Sequence, residues 1–249
     1  MLYQYVLRHA ENNLIASHRL SQWATLCPEL EIEMAMMNIA LDQLGQARLL
    51  LQYACTLNGN IHTEDDLAFY RDSRDWQSFQ LVEQPNGSFS DTIARMLYYD
   101  VYNHLVYAHW TKGNDVTLKG IAEKALKETT YHQRFSQEWC IRLGDGTSES
   151  HAHMQQSIYD LWRWTGEMFE SDSVDIQMHA QGVAPCLQTL QQQWLNILDP
   201  VLKTATLTRP TIEKSFFVTG AKQGLHTEYF GYILAEMQSL PRAIPNCEW

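Results

Sequence analysis

Apolar positions along this chain recur at steps of three and four residues, the repeat of a single helical face. Leu7, Glu11, Leu14 and His18 share such a face and predict a first helix over Leu2–Trp23, stopping before Cys27-Pro28. Pro28 followed by Glu29 and Glu31 marks a new start, since proline is tolerated in a first turn and carboxylates suit the positive end of the helix dipole. Ile32, Ala35, Ile39, Ala47, Leu50 and Ala54 then carry an inward stripe to a stop at Asn58-Gly59-Asn60. Thr63 with Asp66 resembles a capping arrangement for a short helix through Arg71.

Gln84-Pro85-Asn86-Gly87 has the chemistry of a turn, after which Ser88 and Asp91 open a third long helix reaching Trp110. Gly113-Asn114-Asp115 ends it, and a fourth runs to Leu143 before Gly144-Asp145-Gly146. Thr147 or Ser148 starts a fifth, holding Trp162 and Trp164. Leu187–Leu198 and Leu225–Leu240 also read as helical. No proline occurs between Pro85 and Pro185, so the middle of the chain lacks its strongest helix breaker. No linker, repeat or low-complexity tract divides the 249 residues, and the expectation is one all-α domain over 1–249.

Charge narrows the function classes. With 18 Lys and Arg against 29 Asp and Glu the formal charge is −11, which opposes nucleic-acid and anionic-membrane binding. Five cysteines, none in a Cys-x-x-Cys pair, argue against a disulfide framework and a zinc site, and fit a reducing cytoplasm. Neither a leader pattern nor a membrane-length apolar run is present, so a cytoplasmic location is expected.

The candidate chemistry lies in acids set within apolar stripes. Asp42 falls in line with Ala35, Ile39 and Leu49; Asp100 with Ile93, Leu97, His104 and Ala108; Glu128 with Ile121, Ala125, Tyr131 or His132, Phe135 and Trp139. Three interior acids on three helices suggest a common site, because a buried charge is costly unless paired or bound to metal. A carboxylate-bridged di-iron bundle needs a Glu from each of two helices and Glu-x-x-His from each of two others, and no Glu-x-x-His occurs here. Gly45 stands where Asp42 would want a histidine three residues on, and after Glu128 the position three on is Tyr131, with His132 one beyond. These residues read as the vestige of a metal site in a bundle that kept its architecture.

Lys124, one turn before Glu128, is a candidate to supply an inward ammonium in place of the lost metal charge; the alternative makes Lys124 and Lys127 solvated surface charges. His18 is a further candidate for the interior. His151-Ala152-His153 reads as an exposed helix face, and Trp162, Trp164 and Phe169 as core or interface. No phosphate loop, nucleophile elbow or His-Glu-x-x-His occurs.

Several long segments resemble the structural C component of bacterial ring-1,2-phenylacetyl-CoA epoxidases. They are Pro28-Glu29-Leu30-Glu31 with Asn38-Ile39-Ala40-Leu41-Asp42 and Leu44-Gly45-Gln46-Ala47-Arg48; Leu81-Val82-Glu83-Gln84-Pro85-Asn86-Gly87 with Thr92-Ile93-Ala94-Arg95; Lys124-Ala125-Leu126-Lys127-Glu128 with Tyr131-His132; Leu143-Gly144-Asp145-Gly146-Thr147; and Gly224-Leu225-His226-Thr227-Glu228 with Ala235-Glu236-Met237-Gln238. The resemblance covers nearly the whole chain. It implies a ferritin-like helical bundle with additional helices, serving as the structural subunit of a monooxygenase complex in phenylacetate degradation. In that family a sister chain carries the di-iron centre and binds phenylacetyl-CoA, a small accessory subunit joins them, and a flavin and iron–sulfur reductase brings electrons from NADPH. The resemblance therefore implies no catalytic, cofactor-binding or metal residue in this chain, di-iron in the partner, and homo- and hetero-oligomeric assembly. The rival from the residues alone is an independent di-iron oxidase or oxygenase with Asp42, Asp100, Glu128 and His132 as ligands; an iron store fits less well, lacking a ferroxidase ligand set.

Overall fold

The computed structural model describes residues 1–27, 29–59, 61–211 and 216–245. Its regular structure among these residues is helical: α1 (Leu2–Ser21), α2 (Leu30–Leu57), α3 (Glu64–Phe69), α4 (Gln80–Glu83), α5 (Phe89–Trp110), α6 (Val116–Gly144), α7 (Ser148–Trp162), α8 (Ser173–Ala180), α9 (Leu187–Thr204) and α10 (Phe230–Ala243). The all-α expectation holds. No described helix is long and apolar enough to cross a membrane. The helix start expected at Pro28, the stop at Asn60 and the cysteine at Cys247 fall outside the described residues.

Polar caps place most helix ends where the sequence puts them. Thr63 and Asp66 form the capping box of α3, and Ser88 and Asp91 that of α5, each side chain satisfying a backbone N–H that the helix leaves open. Asp115 and Thr147 cap α6 and α7 from their side chains. Some boundaries shift and two short elements are added. α7 closes at Trp162, leaving Trp164 in the following turn; α10 begins at Phe230 rather than Leu225; and the single turn α4 and the eight-residue α8 carry too little periodicity to be foreseen.

The chain forms two compact units. The first takes residues 1–85 and the segment from Gly220 onward. Here α1 packs along α2 in the opposite sense: the Ser17 hydroxyl donates to the Ala40 carbonyl, and Leu14 lies beside Leu44 and Ala47. Helix α1 is buried nearly all round and carries Arg8, Glu11, Asn12, Asn13 and Arg19 inside, so this unit has polar side chains among its apolar core.

The second unit, residues 86–219, is built on α5, with α6, α7 and α9 packed against it. Trp194 of α9 anchors it: its ring centroid stands 5.7 Å from Tyr98, 5.5 Å from Trp162 and 5.3 Å from Phe169, and its indole N–H donates to the Tyr98 carbonyl. Aromatic contacts of this kind add to the area they bury, and the buried N–H has its partner. Trp162 and Phe169 are therefore core residues. The described cysteines Cys27, Cys55, Cys140 and Cys186 are free thiols.

Candidate functional site

In the second unit α5 and α6 bring Asp100 and His132 into the interior, each 1 % exposed. Burial pushes the Asp100 carboxyl up to about 6, while His132, a hydrogen bond from Ser136 and Arg95 pull the other way. Its Oδ2 is buried with no hydrogen-bond partner among the described residues. Ser136 also donates to the His132 carbonyl, and His104 Nδ1 stands 3.3 Å from the Thr129 hydroxyl, with its imidazole pushed down by burial.

Glu128 and Tyr131 do not share this interior. The buried positions of α6 are Leu118, Ile121, Ala122, Ala125, Thr129, His132, Phe135, Ser136, Cys140 and Gly144, so the inward face keeps Ile121, Ala125, His132 and Phe135 of the stripe read off the sequence but takes Thr129 and Cys140 in place of Glu128 and Trp139. Thr129 occupies the place given to Glu128 and bonds locally to the Leu126 carbonyl. A carboxylate there would carry a desolvation cost; at the flank Glu128 is 20 % exposed and meets Lys124 Nζ at 3.8 Å, on a lysine 67 % exposed. That is a solvated i,i+4 surface pair rather than an interior counter-charge. Tyr131 is exposed, with the Arg134 guanidinium 5.6 Å from its ring centre.

Asp42 lies on α2 in the first unit and is half-buried, the interior polar positions of that helix belonging to Gln43 and Gln46. A Cβ at Gly45 would meet nothing within 4 Å. Among the described residues no three His, Cys, Asp or Glu side chains stand together in a way that could hold a metal ion. The residues nominated from sequence thus do not fit a di-iron centre: of that set the interior pair is Asp100 and His132, and Asp100 lacks the further carboxylates and histidine such a site uses.

The most developed polar constellation is in the first unit. Glu83, fully buried, takes His226 Nδ1 at 2.6 Å on Oε1, and the Thr227 backbone N–H and hydroxyl at 2.8 and 2.9 Å on Oε2. His226 Nε2 donates to the Trp76 carbonyl at 3.0 Å, and its ring stacks on Phe230 at 4.0 Å between centroids. Arg19 of α1 donates from Nε and Nη2 to the Glu83 carbonyl. Beside it Arg71 binds Glu11 at 2.6 Å and lies over the Trp76 ring, while Gln77 N–H donates to the other Glu11 oxygen. Burial raises the Glu11 carboxyl against the pull of Arg71. Periodicity carries no sign of this, since Glu83 and His226 are 143 residues apart.

Glu83, His226 and Glu11 are each taken up by other groups of the chain, which is the chemistry of a clamp rather than of a reaction centre. The clamp joins α1, the stretch from Trp76 through α4 to Glu83, and the segment leading into α10.

A family model described as "Phenylacetic acid catabolic protein" matches residues 1–249. The chain belongs to that family. Over 245 residues it is 45 % identical to the C subunit of 1,2-phenylacetyl-CoA epoxidase from Escherichia coli (strain K12), covering 98 % of each chain. Two segments that carry the sequence resemblance, Leu81–Gly87 and Gly224–Glu228, are the two sides of the Glu83–His226 clamp. In this family member they hold the first unit together.

Proposed function

We propose that this chain is the non-catalytic structural subunit of a multicomponent phenylacetyl-CoA epoxidase, pairing with and stabilising the di-iron catalytic subunit in aerobic phenylacetate catabolism. The observation that carries the reading is the 45 % identity to an epoxidase C subunit over 98 % of both chains. The geometry supports it: two interior acids of the first unit are closed on their own neighbours, Glu83 by His226 and Thr227, and Glu11 by Arg71. The chain holds no cofactor of its own in this reading. Its work is mechanical, covering a face of the partner so that the helices carrying iron keep their register.

The test is iron content and oxygen use of the chain purified alone and offered Fe(II) without air. Negligible iron and no oxygen uptake are expected. About two irons per chain, with oxygen consumed on exposure to air, would restore the independent oxidase.

A further inference from the structure

The outward face of α2 carries an apolar stripe that stays open to solvent among the described residues. Leu30, Met34, Leu41 and Leu44 are 66, 57, 65 and 42 % exposed, and the half-buried Met37 fills the interval between them. Steps of four, three, four and three residues are the a/d spacing of a helix seam, here on the side of α2 away from its buried Met36, Ile39, Ala40, Ala47 and Leu50. The stripe runs about 21 Å at the helical rise per residue. An exposed apolar run of this length and regularity marks a protein-docking face.

Two details suit it to a helix. Gly45 lies along the same side and leaves room where its Cβ would be, so a neighbouring backbone can come close. The stripe also ends at a hollow of about 340 Å³ with Leu14, Leu44, Leu51 and Phe69 in its wall and the charged Arg48, Glu64 and Asp65 also lining it, a socket for a large side chain of the kind that anchors an interface.

Charge selects the occupant. Glu29, Glu31 and Glu33 flank the start of the stripe and Asp42 lies near its end, while Arg48, one turn beyond it, is held at 2.9 Å by Glu64. The flanks are acidic on a chain of formal charge −11, so a second copy would bring like fields together. The complement is a helix of a different chain, apolar at heptad spacing and edged with lysine or arginine. We propose that the outer face of α2 from Leu30 to Leu44 docks such a helix of the catalytic di-iron subunit. This rests on the structural role proposed above.

The test measures binding of the full chain to the purified di-iron subunit by titration calorimetry, with size-exclusion light scattering of each protein alone. Leu41→Lys should weaken binding by about 100-fold or more, because the new ammonium would be desolvated against basic groups, and Glu31→Lys/Glu33→Lys by about 10-fold with a flatter salt dependence. Tyr232→Lys, on an exposed residue of α10, should bind as the parent does, and circular dichroism should be unchanged in all three. Parent-like binding by Leu41→Lys overturns the α2 assignment. A dimer of this chain alone that Leu41→Lys dissolves overturns the occupant. No binding of the parent chain to the di-iron subunit removes the structural role itself, a result distinct from the other two.

Discussion

Replacing Glu83 with Ala removes, in a fully buried place, the partner of His226, of Thr227 and, at 3.4 Å, of the Ser78 hydroxyl. His226 Nδ1, the Thr227 N–H and the Thr227 hydroxyl lie 2.6, 2.8 and 2.9 Å from its oxygens. The hydroxyl can turn to another acceptor, but the N–H and the imidazole cannot. An unsatisfied buried polar group costs about 1–3 kcal/mol, and Glu83→Ala leaves two of them, the Thr227 N–H and a ring nitrogen of His226, without their partner. The expected loss is about 4 kcal/mol, or roughly 10 °C in melting temperature for a chain of this size. Glu83→Gln keeps an acceptor for Thr227 and should lose about half as much. Urea unfolding followed by circular dichroism measures the loss. Limited proteolysis should show early cleavage in the segment around Gly220–Glu228, freed when its anchor is gone. Because His226 and Glu83 act as one unit, the Glu83→Ala/His226→Ala double variant should be clearly less destabilised than the sum of the singles. A Glu83→Ala protein within about 0.5 kcal/mol of the parent would refute the clamp.

Other outcomes follow from single positions. Burial pushes the His9 imidazole down to about 3, so the folded state holds it neutral and the unfolded state binds the extra proton between the usual histidine value and that point. Stability from His9 is therefore complete near neutral pH and lost as pH falls from about 6.5 towards 3, an effect on the order of 4–5 kcal/mol, and His9→Gln should flatten that part of the acid-unfolding curve. Gly224 sits at φ 72° with the place of its missing Cβ pressed against the Arg74 carbonyl oxygen, so Gly224→Ala should cost more than about 2 kcal/mol in urea unfolding. Lys124→Met removes only a solvated partner of Glu128 and should leave stability within about 0.5 kcal/mol; a larger loss would mean the ammonium neutralises an interior acid after all.

Helix ends are legible in the sequence wherever side-chain capping sets them. Thr63 with Asp66 and Ser88 with Asp91 sit where a reading of cap chemistry places them, because those groups answer to the backbone next door. Asp172 and Asp175 form the same box at the start of α8, but eight residues give the cap no visible period to stand in front of. The face of α6 is less legible. With 100° between successive residues, Glu128 and Thr129 are both compatible with an apolar stripe through Ala125 and His132, and only packing against α5 separates them. Helix α2 is apolar on two sides, so one inward stripe hides the outward one at Leu30, Met34, Leu41 and Leu44. Contacts such as Glu83 with His226 depend on how the chain returns on itself and leave no local trace.

A scaffold is needed or it is not, and the catalytic partner reports which. Epoxidation of phenylacetyl-CoA and iron retained by the di-iron subunit, measured with reductase and accessory subunit present while this chain is added from none to excess, decides it. Both should rise with added chain and saturate, with no turnover from this chain and reductase alone. Full activity and full iron in its absence, or turnover without the di-iron subunit, would contradict the structural role.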